Sequence, residues 1–307
     1  MSGAIKNVIV IGAGGLAGGH IVEALQKSAY GYSVSVLSRE ESSYTPPTGV
    51  ASIKTDYTHD SLVKALKGQN AIVSTIAGSA LLKQIDIINA AIEAGVQRFI
   101  PSEFGSDTGN AHCRSRVPFF PPKHQVAEYL REKQEKIEWT IIQSGPFFEL
   151  CLETGFLGFD IANNAANTWD DKYKDVKFAS TRRSTVGQAV AEALSPAIAP
   201  KTVNQTLFIQ DTTATISTLF AALEKSTGST WTVNKVDYDA LVAESMEKLK
   251  VGDLSGIGPI IIGNCIDPES GNDFAGRGIL SNELLSIPEA DLQALVDESV
   301  ARVKATK

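Results

Sequence analysis

The stretch Val8-Ile9-Val10-Ile11-Gly12-Ala13-Gly14-Gly15-Leu16-Ala17-Gly18 decides how this chain is read. Its four aliphatic residues form a short run suited to a strand buried on both faces. The glycines that follow fit two spacings at once, GxGxxA at 12, 14 and 17 and GxxGxxG at 12, 15 and 18. Both spacings serve one physical purpose. Glycine tolerates positive φ at the turn, and its missing Cβ lets a pyrophosphate approach the backbone. The helix that follows aims its N-terminal amides at that phosphate. A purely structural turn has the same composition, so context carries the argument: the run precedes a helical pattern at His20–Lys27 and heads a β-α rhythm. Gly12, Gly14, Gly15, Leu16, Ala17 and Gly18 are the expected dinucleotide-binding turn.

Working outward, Val- and Ile-rich runs at Val34–Leu37, Ser52–Thr55, Ala71–Ile76, Arg98–Pro101 and Trp139–Gln143 read as further strands. Ser61–Leu66 and Leu82–Ala94 carry apolar residues at helical spacing, and Gly95 stands where the second of these would end. The expected fold class is α/β, a Rossmann-type doubly wound parallel sheet with a smaller, less regular α/β substrate-binding region. Residues 1–150 form the expected dinucleotide-binding domain, with 180–212 returning to it through a helix at Thr185–Leu194 and a strand at Leu207–Gln210. Residues 151–179 and 213–307 form the expected substrate-binding region. There, Ile216–Ser226, Tyr238–Leu249 and Pro288–Val303 read as helices, Asn163–Tyr173 as polar and strand-poor, and Val251–Gly278 as a Gly- and Pro-rich loop lining a pocket.

Ligands in such sheets bind beyond the carboxyl ends of the strands. Thr75-Ile76-Ala77-Gly78, Ser102-Glu103-Phe104 and Pro146-Phe147-Phe148 arrive there, so they are the expected cleft, with Phe104, Phe147 and Phe148 as its apolar wall. Paired phenylalanines serve core packing equally well, and Glu103 reads either as a hydroxyl-binding residue or as a helix-start carboxylate. Nucleotide selectivity is set at the end of the second strand, where an acidic residue would accept from a ribose 2′-hydroxyl. This chain has Ser38-Arg39 instead, a hydroxyl and a guanidinium suited to a 2′-phosphate, so NADP(H) is the expected cofactor. The alternative makes Arg39 a loop charge neutralised by Glu40 and Glu41.

Bulk composition narrows the partners. The 307 residues are 43% hydrophobic and 21% charged, enough for an ample core, and the formal charge of −7 argues against nucleic acid or anionic membrane. Cys113, Cys151 and Cys265 are far apart and show no CxxC spacing, so neither a disulfide framework nor a zinc site is expected, and a cytoplasmic setting is. His20, His59, His112 and His124 form no ligand cluster, so no metal is expected. No apolar run approaches the ~20 residues that span a bilayer. A small-molecule substrate is the expected partner, and a homodimer is compatible with the pattern.

Beyond the glycine turn, the chain resembles the isoflavone-reductase-like, or NmrA-like, branch of the atypical short-chain dehydrogenases/reductases. The resemblance runs through Asp56, Ala90 to Gly105 (AAIEAGVQRFIPSEFG), Trp139 to Phe148 (WTIIQSGPFF) and Ser184 to Ala191 (STVGQAVA), with Gly95 to Gly105 its most distinctive part. Two places depart from it: Gly14 replaces the family's usual Thr or Ser, and Ala17-Gly18-Gly19 its bulky residue and glycine. The resemblance implies NADPH-dependent reduction of a small aromatic or polyketide-like metabolite, at a C=O or conjugated C=C bond. It implies Asp56 as a cofactor-binding residue and Lys123, sixteen residues before Trp139, as general acid or base beside the cofactor. Four residues before it stands Phe119, which has no hydroxyl to donate, so Lys123 would act directly or through water. The Tyr-x-x-x-Lys pairs Tyr129/Lys133 and Tyr173/Lys177 lie too near or beyond the sixth strand and read as solvated structural residues. Two other functions remain open: an NADP(H)-sensing regulator without catalysis, and a dehydratase or isomerase that holds NADP(H).

Overall fold

The structure is a computed structural model and describes residues 4–168 and 171–305. The first half alternates β1 (Asn7–Ile11), α1 (Gly18–Lys27), β2 (Ser33–Arg39), β3 (Ala51–Thr55), α2 (His59–Leu66), β4 (Ala71–Ser74), α3 (Lys83–Ala94) and β5 (Arg98–Ile100). Next come α4 (Ala111–Arg116), α5 (Phe120–Glu132), β6 (Glu138–Gln143), α6 (Phe148–Glu153), β7 (Phe159–Asp160), β8 (Ala165–Thr168), β9 (Phe178–Ser180), α7 (Arg183–Ala193) and β10 (Gln205–Phe208). The remainder is β11 (Thr212–Ala214), α8 (Ile216–Thr227), β12 (Thr232–Lys235), α9 (Tyr238–Lys250), α10 (Ile257–Cys265) and α11 (Leu292–Ala305).

Period-2 alternation in the strands builds two cores at once. Val8, Val10, Val34, Val36, Ala71, Val73, Ile100 and Ile142 pack on one face of the sheet with Ile21, Val22 and Leu25 of α1 and Val186, Ala189 and Val190 of α7. Ile9, Ile11, Leu37, Ile72, Phe99 and Ile141 point to the other face, against α2, α3 and α5. The sheet has seven parallel strands in the order β10-β6-β5-β4-β1-β2-β3. The chain starts at β1, winds outward to β3, then returns to β4 on the other side. The crevice between the ends of β1 and β4 is therefore the switch point at which such sheets bind ligands.

Arg98 secures the opposite end of the sheet. Although fully buried, it donates to Glu138 (2.7 Å), Thr140 (2.9 Å), Thr202 (3.1 Å) and the Ala199 carbonyl (3.0 Å). β5, β6 and the segment leading into β10 thus share one guanidinium, and the paired carboxylate offsets the desolvation of the charge.

A further core joins Phe148, Phe159, Phe178, Leu219, Leu223, Trp231, Tyr238, Ile262 and Val296, supplied by α6, β7, β9 and α8 through α11. This part departs most from the sequence reading. Asn163–Tyr173 is not strand-poor over its described residues, because β8 lies in it, pairing antiparallel with β7 and parallel with β12; residues 169–170 lie outside the described residues. The exposed polar run Thr232–Lys235 gives no alternation by which to find β12. Nor is Val251–Gly278 a continuous loop, since α10 occupies its centre. Pro259 is tolerated because it falls in the first turn, where its missing N–H has no helical acceptor. Gly263 is required because the Tyr238 hydroxyl occupies the space of a Cβ. Among the described residues, no helix is long and apolar enough to cross a membrane.

Helices α1 and α7 meet through Gly187, where a Cβ would lie 2.5 Å from the His20 carbonyl oxygen and 3.0 Å from the Ala24 Cβ. Gly187→Ala should destabilise the fold by about 1–3 kcal/mol through overpacking, outweighing the ~1 kcal/mol that alanine contributes over glycine in a helix. Thermal melting checks this; an unchanged or raised midpoint would mean that the two helices can separate freely.

Candidate active site

Residue 12 sits where β1 passes closest to the end of β4. Gly12 has φ +84°, and a Cβ there would stand 2.7 Å from Thr75 Oγ1. Thr75 fastens the crossing by donating to the carbonyls of Ile11 (2.9 Å) and Gly12 (2.8 Å). The turn closes with the Gly15 amide on the Gly12 carbonyl at 2.9 Å, and Gly18 packs so tightly that a Cβ would lie 2.5 Å from the same oxygen. Gly14, Gly15 and Leu16 stay exposed, and Ala17 starts α1 without a side-chain cap, so the open amide end of the helix faces the crevice.

From this turn a cleft of about 540 Å³ runs along the ends of β1, β2 and β4, lined by Gly12, Gly14, Gly15, Ser38, Arg39, Thr75, Ile76 and Ala77. Ser38 Oγ is buried, with no hydrogen-bond partner among the described residues. Arg39 is exposed and makes no ion pair among them, with Glu40 and Glu41 included. A buried hydroxyl and a guanidinium, both unpaired among the described residues, at one end of a cleft that Gly12, Gly14 and Gly15 also line, fit a phosphorylated dinucleotide. Tyr44, Tyr57, Ser42, Ala80 and Lys83 also line the cleft and were not anticipated. Tyr44 covers Gly14, whose Cβ would touch its ring at 3.0 Å, and Tyr57 is held at φ +61° with its phenol pKa raised by burial. Neither lies in a periodic segment, so no sequence signal marks them. Asp56 is exposed and does not line this cleft; its Oδ1 accepts from the Thr58 amide (2.9 Å) and hydroxyl (2.8 Å), which holds its pKa low. Gly78, at φ +64°, opens the 3₁₀ turn Gly78–Ala80.

At the end of β5 the Ser102 amide donates to Gln84 Oε1 at 2.9 Å, and Phe104, at φ +37°, packs into the α1-side core. Glu103 between them is 2% exposed, so it is a buried sheet-end carboxyl and not a helix-start one. Its Oε2 accepts from Thr108 Oγ1 (3.0 Å) and Gln143 Nε2 (3.3 Å), while Oε1 has no partner among the described residues. Burial raises its pKa, and the nearby Lys123 opposes that rise.

Lys123 follows Pro121 and Pro122 in the first turn of α5, with Phe119 at the N-cap. Its Nζ donates to the Glu103 carbonyl at 2.5 Å. The residue is partly exposed, yet burial around the ammonium lowers its pKa and the charge of Glu103 raises it in part. Beyond β6, Gly145 is required because the Ala179 carbonyl fills the space of a Cβ, and the Pro146 carbonyl accepts from Ser180 Oγ at 3.0 Å. Phe147 is partly exposed against the α1-side core, whereas Phe148 is buried in the core beneath α8 and α11. The Tyr-x-x-x-Lys pairs lie elsewhere. The Tyr129 hydroxyl bonds Asn89 on α3, and Lys133 lies over the Tyr129 ring. Tyr173 is buried and donates to Asp239 at 2.8 Å, which corrects the reading of it as solvated.

The sequence profile of the NmrA-like family matches residues 4–259. The chain belongs to this family. A relative of this NmrA-like protein, oxidoreductase aprR of Aspergillus flavus, is 37% identical over 302 residues, covering 96% of this chain and 98% of that one. An isoflavone reductase homolog of Solanum tuberosum is 31% identical over 74% of this chain and 76% of its own length. The binary complex of leucoanthocyanidin reductase with NADPH from Vitis vinifera shares the fold, with a TM-score of 0.72 at 18% identity over 96% of this chain and 100% of that one.

The burial of Glu103 has a thermodynamic consequence for this NmrA-like fold. A carboxyl whose folded pKa is raised stabilises the fold fully below its unfolded value of about 4.3, and that contribution is lost as pH rises through the folded value. Glu103→Gln keeps the Gln143 and Thr108 neighbours without an ionisable group. Urea unfolding between pH 4 and 8 should show the native protein losing stability relative to the variant as pH rises; a difference that stays constant with pH would mean that Glu103 is not desolvated.

Proposed function

We propose that the protein is an NADPH-dependent oxidoreductase that reduces a small aromatic or polyketide-like metabolite at a C=O or conjugated C=C bond. The observation that carries this reading is the cleft, with Gly12, Gly14 and Gly15 in its lining and, at one end, the Ser38 hydroxyl and Arg39 guanidinium, both unpaired among the described residues. The relatives named as an oxidoreductase and an isoflavone reductase homolog support it, as does the NADPH held by the grapevine protein of the same fold.

In this reading the amide end of α1 and the glycine turn hold the pyrophosphate, and Ser38 and Arg39 hold the 2′-phosphate. Thr75, Ile76, Ala77 and Gly78, with Ser102, Glu103 and Phe104, form the floor toward the nicotinamide; Pro146 and Phe147 close it, and Asp56 organises the start of α2 nearby. When bound, the dinucleotide supplies the hydride. Lys123 supplies the proton from Nζ: the Glu103 carbonyl orients it, and the lowered pKa makes the ammonium a stronger acid than an ordinary lysine. Phe119 offers no hydroxyl to intervene.

Calorimetric titration with NADPH, NADP⁺, NADH and NAD⁺ should show selective binding of the phosphorylated forms. Ser38→Asp combined with Arg39→Ala should weaken NADPH binding roughly 10- to 150-fold, from ~1.5–3 kcal/mol of charge-assisted contact. Unchanged NADPH affinity in that variant would refute the assignment. With aromatic carbonyls and enones as probes, Lys123→Ala should lower turnover by roughly 10²–10⁴ while cofactor still binds. Because Nζ must be protonated, activity should fall as pH rises through a value below the ordinary ~10.4 of lysine, and Lys123→Arg should remove that fall at a reduced rate. NADPH binding without NADPH consumption across the panel would favour the sensor, or a dehydratase or isomerase that holds NADP(H), over the reductase.

A further inference from the structure

Beside the cleft, an open groove of about 530 Å³ is lined by Gly14, Gly15, Leu16, His20, Tyr44 and Arg183, among others. Gly14, Gly15 and Tyr44 also line the cleft, so groove and cleft meet over the glycine turn, but the groove includes neither Ser38 nor Arg39. The acid in its lining, Glu23, pairs with Lys27, which leaves Arg183 as its permanent cation among the described residues.

The packing of α7 puts Arg183 there. Helix α1 leaves the carboxyl edge of the sheet after β1, and α7 likewise runs toward the start of β10, so the two helices are parallel and present their N-termini at the same edge. Gly187 brings them together at His20 and Ala24. One turn back along each helix, on the same face, stand Arg183 and Leu16. Just before Arg183, Thr181 bridges to Phe147, and its carbonyl accepts from the Phe148 amide at 3.0 Å, which sets this end of α7 on the Phe147 side of the turn. The two arginines at the start of α7 differ in what they leave free. Arg182 is engaged on Asp211 through Nε (3.2 Å) and Nη2 (3.0 Å). Arg183 donates from Nε to Glu149 Oε1 at 2.8 Å, the oxygen that also takes its backbone amide, and neither of its Nη atoms has a hydrogen-bond partner among the described residues. A buried carboxylate thus fixes the root of this guanidinium and leaves its outer donors open.

A dinucleotide pyrophosphate carries a negative charge on each phosphate, and the glycine turn answers it with neutral amides alone. We propose that Arg183 is a pyrophosphate-binding residue, its Nη donors holding the phosphate nearer the nicotinamide while Ser38 and Arg39 hold the 2′-phosphate. The proposal rests on the reading of the cleft as an NADP(H) site. The choice of phosphate follows from position: Arg183 borders the turn on the Phe147 side, where the nicotinamide end lies in that reading, and Ser38 and Arg39 mark the adenosine end. A guanidinium matches phosphate oxygens with paired N–H···O bonds, which are charge-assisted and stronger than contacts from neutral amides.

The test is calorimetric titration of native protein and Arg183→Ala with three probes. NADP⁺ carries the whole pyrophosphate and the nicotinamide; 2′-phospho-ADP-ribose keeps the pyrophosphate without the nicotinamide; adenosine 2′,5′-bisphosphate lacks the phosphate assigned to Arg183. Arg183→Ala should weaken binding of NADP⁺ and 2′-phospho-ADP-ribose by roughly tenfold or more and leave adenosine 2′,5′-bisphosphate at its native affinity. Unchanged affinity for all three would overturn the proposal. So would an equal loss for all three, which marks a structural role, or a loss confined to NADP⁺, which places the guanidinium at the nicotinamide ring. If Arg183→Ala fails to fold because it strands Glu149, the double variant Arg183→Met with Glu149→Gln removes both charges, keeps an oxygen for the residue 183 amide, and decides the same comparison. Native protein that binds none of the probes would overturn the cofactor reading and this proposal with it, whereas native binding that Arg183→Ala does not change overturns this proposal alone.

Discussion

There is no space for a Cβ at residue 12. That exclusion lies where the end of β1 passes the end of β4, and Thr75 fixes it by donating to the carbonyls of Ile11 and Gly12, one on each side of the Gly12 Cα. Everything at the carboxyl edge of the sheet takes its position from this crossing. It starts the turn that frees the amides of α1, and it leaves the ends of β2 and β4 as the walls of a cleft. The seven parallel strands are the frame; the crossing determines where the frame can receive a phosphate.

A second constraint acts at the next strand end and is electrostatic. Glu103 and Lys123 are held together by a backbone carbonyl and not by a direct ion pair, so neither charge is fully neutralised and each remains partly desolvated. An ion pair would have held both in their charged forms; without one, burial pulls each toward its neutral form. The two prolines before Lys123 contribute by removing amide donors from the first turn of α5, which leaves the ammonium as the polar donor there that reaches Glu103.

How much of this was legible follows from how local each determinant is. Val8–Ile11 and Gly12–Gly18 could be read because burial on both faces and the demands of a tight turn leave a mark on consecutive residues. Ser38-Arg39 could be read because the end of β2 fixes its place in the sheet. Lys123 emerged from family resemblance, since nothing in its immediate neighbours identifies it. Tyr44 and Tyr57 were invisible because they reach the cleft from irregular segments, and the burial of Glu103 depends on Thr108 and Gln143, which only the folded chain brings together. Strand β12 escaped because an exposed edge has no hydrophobic period, and α10 because its glycines and proline, which answer to Tyr238 and to the helix start, resemble a loop.

The buried Arg98 bears on how such a chain can diversify. It ties β5 and β6 to Thr202 and the Ala199 carbonyl, just before the chain re-enters the sheet as β10. The excursion between β6 and β10 therefore leaves and returns through a fixed gate. Irregular connections within it can lengthen at a small entropic cost, about 0.6 kcal/mol for each doubling of a flexible loop, whereas α7 is held against α1 at Gly187. One guanidinium at the far end of the strands thus fixes where the excursion leaves and re-enters the sheet, apart from the cleft, whose lining lies wholly within residues 11–83.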